Sequence, residues 1–196
     1  MTVTVLPEEF RMVLFDPDLI FETLTRLVEQ VAVEGDVVVT VDETVPTTVV
    51  GISGLDPITL EIQSGAFEDT RYPRTASSAQ IADVAGRLLF EAGDRLDPGF
   101  GAPDLDGDPP LHHRAAWDIY CGGRVARLGY ESLRQRRLYH FRNRHGFTDV
   151  ADASFERLWE SDNLTWAEIT EASDRAHPTR APLWRAPVRN RDGRGT

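Results

Sequence analysis

The stretch Leu111–Gly146 (LHHRAAWDIYCGGRVARLGYESLRQRRLYHFRNRHG) constrains the fold more than any other. It carries eight arginines against two acids, Asp118 and Glu131, together with four of the five histidines and the only cysteine, Cys121. A net charge of +6 confined to one short stretch must face a partner or be matched inside the fold. The flanks favour a match. Residues 1–110 hold 21 acids and 6 arginines, a net of −15, and residues 147–178 hold 8 acids and 2 arginines, a net of −6. The last 18 residues, 179–196, are basic again at +4, and the whole chain is at −11. An acidic protein is repelled by nucleic acid unless its basic groups are segregated on one face. The charge layout therefore says more about partners than the total does.

Hydrophobic periodicity gives the elements. Thr2–Leu6 alternates Thr and Val and reads as a short strand. Asp16-Pro17-Asp18 is a helix start, and Leu19, Ile20, Leu24, Leu27, Val28 and Val31 recur at helical spacing, which predicts a helix over 17–31. Residues 36–43, 47–53 and 57–63 are β-branched and extended, with Gly, Pro and Asp at each junction, and read as an antiparallel meander that the first strand can join. Ser77 or Ser78 caps a helix over 78–95 whose stripe is Ile81, Val84, Ala85, Leu88 and Leu89. Residues 96–110 hold four prolines and three glycines and mark a boundary or surface loop.

The second half reads as helices. Residues 113–128 place Trp117, Cys121, Val125 and Leu128 on one face, and the Gly122-Gly123 pair requires either close helix packing or a bend. Gly129 separates this helix from the next, 131–145, which Gly146 ends. That helix clusters Arg134, Arg137, Leu138, Phe141 and His145 on one side and Arg136, Arg142 and Arg144 on the polar flank. Asp149 or Asp152 caps a helix to Glu160, and Thr165 with Glu168 forms a capping box for one ending near Arg175. The expected fold class is α+β: a small, mostly antiparallel sheet of three to four strands with two helices (residues 1–98), a connector (99–111), a helical half packed on it (112–176), and an Arg/Pro-rich tail (177–196), extended or disordered.

Chemistry is mostly excluded. All 21 basic residues are arginine, so a Schiff base, a lysine general base and a P-loop are ruled out. Neither HExxH nor CxxC occurs, so no metal site and no cofactor are expected. His112 and His113 are adjacent and should point apart, and His140 and His145 are five apart rather than the three or four that share a helical face. The Asp104-Asp106-Asp108 alternation is not followed by the glycine or the glutamate that a calcium loop requires. Cys121 on an apolar face is an inert thiol. No run of about 18 apolar residues is present, so no membrane contact is expected, and with neither a signal-like N-terminus nor paired cysteines the expected compartment is the cytoplasm.

Two resemblances bear on function. Leu164–Ile169 (LTWAEI) resembles the opening helix of helix-turn-helix modules, which would imply a recognition helix next; Pro178, Pro182 and Pro187 follow instead. The order helix, three strands, helix resembles small zincin-like metallopeptidase domains. There the second helix carries HExxH, whereas here it reads QIADVAGRLLFEAGDRL, so the resemblance implies a catalytically dead relative.

The expected function is a non-catalytic protein-binding or structural module, with Arg134, Arg136, Arg137, Arg142 and Arg144 as candidate binding residues and a protein as the expected partner. Nucleic-acid binding through the same helix and the basic tail is the alternative. A nonstandard enzyme site would have to combine His112, His113, His140 or Tyr139 with an acid such as Asp118.

Overall fold

The computed structural model describes residues 2–177. The order is β1 (Val3–Leu6), α1 (Pro17–Val31), β2 (Val37–Asp42), β3 (Val50–Leu55), β4 (Ile58–Gln63), α2 (Ser78–Leu96), α3 (Leu111–Arg127), α4 (Arg134–His145), α5 (Asp149–Glu160) and α6 (Trp166–Ala176). The expected extended tail falls at 178–196, outside the described residues.

The sheet is mixed, which corrects the mostly antiparallel meander. Its strand order is β1-β2-β4-β3. β1 pairs with β2 in parallel and β2 with β4 in parallel, and only the β3–β4 hairpin is antiparallel. The physical reason lies in two connections. Helix α1 carries the chain back to the starting end of the sheet, as a crossover between parallel strands requires. The segment 43–49 then carries the chain past the place beside β2, so that β4 takes that place and β3 is left on the edge. The hairpin is irregular, with a register shift between Ile52 and Gly54.

One face of the sheet (Val37, Val39, Val41, Ile58, Leu60, Ile62) is buried beneath α1 and α2. The α1 face is Ile20, Leu24, Leu27 and Val28, and Asp16 caps its start by accepting from the amides of Asp18 and Leu19. The α2 face is Ile81, Ala82, Ala85, Leu88 and Leu89. Complete burial of such side chains contributes about 1.5–3 kcal/mol each before chain entropy is counted.

A second core lies among α3, α5 and α6, and it is built from aromatics: Phe100, Trp117, Tyr120, Phe141, Phe155 and Trp159. The glycine pair in α3 resolves as close packing, since the helix runs unbroken through it and a Cβ on Gly123 would collide with the Trp159 backbone carbonyl of α5. The α5 cap is Thr148, whose hydroxyl accepts from Ala151 N, one residue before the expected aspartate. The Thr165/Glu168 capping box of α6 forms as its spacing predicts. Gly129 and Gly146 both take the left-handed conformation, with φ of 90° and 98°, that a side chain resists. They bound the segment that delivers α4 to the surface. No helix among the described residues is long and apolar enough to cross a membrane.

Candidate binding groove

The two cores meet along α2, α3 and α4, and the seam is ionic. Asp83 on α2 and Asp118 on α3 face Arg87 on α2 and Arg137 on α4 in a closed ring. Arg137 donates to Asp118 Oδ2 at 2.9 Å and to Asp83, while Arg87 donates to Asp118 and lies 3.7 Å from Asp83 Oδ2. Burial opposes the Asp118 charge, but Arg87 and Arg137 outweigh it and hold its pKa below the ordinary carboxylate value. One turn pair further along, Arg124 clamps Asp94 with two bonds of 2.8 and 2.5 Å, and the Trp117 indole donates to the same carboxylate at 2.7 Å. Arg124 also lies 4.2 Å over the Tyr120 ring, and Arg95 lies 4.5 Å over the Trp117 ring. Removing one member would strand a buried charge. Burial pushes the Cys121 thiol far up, so it is neutral, as its apolar face implies.

The remaining arginines of the central stretch divide. Arg127 donates to the carbonyls of Trp159 (2.5 Å) and Ser161 (2.6 Å) at the end of α5 and to Asp162, closing a helix C-terminus that lacks donors of its own. Arg134 pairs with Glu156 at 2.6 Å. Arg142 grips Asp152 with bonds of 2.7 and 2.6 Å, which lower the carboxylate pKa and raise that of the guanidinium. Arg114 lies 3.8 Å from Asp108. Arg136 and Arg144 have no hydrogen bond or ion pair among the described residues, and both are exposed. Of the five candidate binding residues, Arg137 is therefore in the seam, Arg134 and Arg142 are tied to α5, and Arg136 and Arg144 are free.

The two free guanidinium groups lie eight residues apart on α4 with His140 between them. This stripe borders the sheet edge. A groove of about 770 Å³ runs between Val50, Gly51 and Ile52 of β3, Arg87 and Arg95 of α2, Arg114 and Asp118 of α3, and His140 and Arg144 of α4. A smaller one of about 310 Å³ adjoins it, sharing Val50, Arg87, Arg137 and His140, and carries Arg136. The connector contributes Leu105, Gly107 and Pro109 to the wall, while the alternating Asp104, Asp106 and Asp108 are not among the lining residues. β3 is the outer strand at this rim, with no strand beyond it among the described residues. An edge of this kind offers unpaired N–H and C=O groups to another chain.

The constellation suggested for a nonstandard enzyme is brought together only in part. Asp118 and His140 share the large groove, but His112 and His113 bond instead to Asp174, and Tyr139 is exposed beside Phe147 at 6.1 Å. The expectation that His112 and His113 point apart is corrected: both Nε2 atoms reach Asp174 Oδ1, at 3.2 and 2.7 Å. Neighbours on a helix diverge by about 100° at the backbone, but two long rings in a first turn can tilt onto one residue of a crossing helix. A pairing between residues more than 60 apart leaves no trace in local spacing. Trp166 at the start of the helix-turn-helix-like segment packs 5.1 Å from the Trp117 ring, and any recognition helix would fall outside the described residues. No protein-family model matches the chain, and neither a curated protein nor a solved structure matches it.

Proposed function

We propose that the protein is a non-catalytic binding module that takes an extended, acidic segment of a partner protein along the outer edge of β3. The observation that supports this most is the alignment of an open strand edge with Arg136, His140 and Arg144, two of which carry permanent charge with no acidic partner among the described residues. Strand addition supplies main-chain hydrogen bonds, and pockets for alternate side chains supply selectivity. Arginine forks at either end of α4 match carboxylates spaced along such a strand. Gly51 lies at the middle of the rim, and a Cβ there would meet nothing within 4 Å, so the sheet face beside the edge is uncovered at that point. Phosphates would also satisfy the arginines, but a single-stranded nucleic acid makes no use of an exposed strand edge.

The test is fluorescence anisotropy with a fluorescein-labelled peptide of alternating glutamate and valine. The expected result is saturable binding that weakens as salt is added, together with loss of binding in the Arg136→Glu/Arg144→Glu variant. Equal affinity for a lysine-valine peptide, or unchanged affinity in the variant, would sink the reading. A labelled oligothymidylate that binds where the acidic peptide does not would replace it with the nucleic-acid alternative.

A further inference from the structure

The histidines that the groove does not use converge at the far end of α3. His112 and His113 occupy its first turn, Asp174 the last turn of α6, and His177 the residue that ends α6. The side-chain donor atoms of His112, His113 and Asp174 all lie within 4.8 Å of one another. The His177 ring centre lies 4.3 Å from that of His112, and the His113 ring centre 4.2 Å from it. We propose that His112, His113 and Asp174, with His177 as a fourth donor, form a binding site for a divalent transition-metal ion of the zinc class, joining the first turn of α3 to the last turn of α6.

Four lines of chemistry support the assignment. Three imidazoles and one carboxylate are the donor types zinc takes. Bonds of about 2.0–2.2 Å in a tetrahedral site put neighbouring donor atoms roughly 3.3 Å apart. The two Nε2–Oδ1 separations, 3.2 and 2.7 Å, lie just under and about half an ångström under that value, so small ring tilts suffice to open the shell around an ion. A metal also needs neutral imidazole and an ionised carboxylate, and the His112 ring and the Asp174 carboxyl lean that way. Burial and then the neighbouring His113 push the His112 pKa down, and the His113 hydrogen bond holds Asp174 below its ordinary value. Finally, α6 brings its C-terminal end to the cluster, and the partial negative charge there offsets the partial positive charge at the start of α3. His145 lies close by but is not a donor, because its Nδ1 faces the Phe141 carbonyl at 3.1 Å and its Nε2 faces the Ser173 hydroxyl at 2.8 Å. It forms the buried wall behind His112, with ring centres 6.2 Å apart.

The test uses the full, untagged chain after chelator treatment and dialysis. Zinc chloride is titrated by calorimetry and cobalt(II) by visible absorption. The expected result is one ion per chain, cobalt bands of tetrahedral type, and Zn²⁺ affinity weakened roughly tenfold or more in His112→Ala and in His113→Ala. Because either variant can perturb the α3–α6 contact by itself, the wild-type chain is also followed by the ring ¹⁵N resonances of its histidines. Those of His112 and His113 should move on zinc addition while those of His140 stay. Absence of saturable binding, or binding that leaves the His112 and His113 resonances unmoved, would overturn the site.

Discussion

Helices α3 and α4 are drawn from the same arginine-rich stretch and behave as opposites. α3 buries eight residues, Ala116, Trp117, Ile119 through Gly123, and Val125, and its exit arginines close other elements: Arg124 holds Asp94 of α2, and Arg127 caps α5. α4 buries only Phe141 and His145; it sends one arginine inward, ties two to α5 and leaves two exposed with no partner among the described residues. Both carry arginine, so composition does not separate them. What separates them is interleaving. α3 alternates its charges with alanine, glycine and aromatics that let neighbours approach, whereas RQRR at the start of α4 leaves no apolar stripe wide enough for burial on more than one side. A basic helix is thus structural where small residues admit a neighbour and available where they do not.

The sharpest way to break this contrast is at the α3–α5 approach. Gly123→Ala drives a methyl into the Trp159 carbonyl, where the obstacle is backbone and cannot swing aside. It should cost about 5 kcal/mol or prevent folding, read by urea denaturation. A loss under about 1 kcal/mol would mean that α3 does not need its glycines. Next in size is Arg124→Ala, which strands the Asp94 carboxylate and leaves the Trp117 indole with an uncompensated partner. About 4 kcal/mol should be lost, and the Arg124→Met/Asp94→Leu double variant should regain most of it. A double variant no better than the single one would show that the pair's hydrogen bonds, rather than a stranded charge, set the loss.

The buried anchor of α4 gives a smaller and pH-dependent effect. Burial first, and then the neighbouring His112, His177 and His113, lower the His145 pKa from 6.5 to about 4, against the pull of the Phe141 carbonyl. Its folded pKa lies below its unfolded one, so protons favour the unfolded chain. The contribution is full above about pH 6.5 and is lost as pH falls toward 4, amounting to about 3 kcal/mol at most. Urea curves at pH 7 and pH 4.5 should therefore diverge more for wild type than for His145→Gln, and parallel losses in the two would contradict a neutral buried ring.

Much of this was legible. Helical and alternating periods located every element within a few residues, and Asp16, Ser77 and Thr165 marked their helix starts by side-chain chemistry. The −15 of the first 110 residues pointed to internal matching, and Asp83 and Asp94 do meet Arg137 and Arg124. Strand order was not legible, because a β-branched run such as VVVTVD suits either direction of pairing and the direction is decided by where connections can pass. The histidine cluster was missed for a related reason. His112 and Asp174 are 62 residues apart, and only the crossing of α3 and α6 brings them together. The division among Arg134, Arg136, Arg137, Arg142 and Arg144 was legible only in part. Periodicity put Arg136, Arg142 and Arg144 on the polar flank, but only three-dimensional proximity pairs Arg142 with Asp152.

The central contrast, between arginines that build the seam and arginines left exposed, is tested most directly by adjacent residues. Denaturation of Arg137→Ala against Arg136→Ala compares the same chemical change one position apart on α4. Arg137→Ala should lose about 3 kcal/mol by leaving Asp83 and Asp118 short of a partner, while Arg136→Ala should stay within about 0.5 kcal/mol of wild type. Equal losses in the two variants would contradict the division.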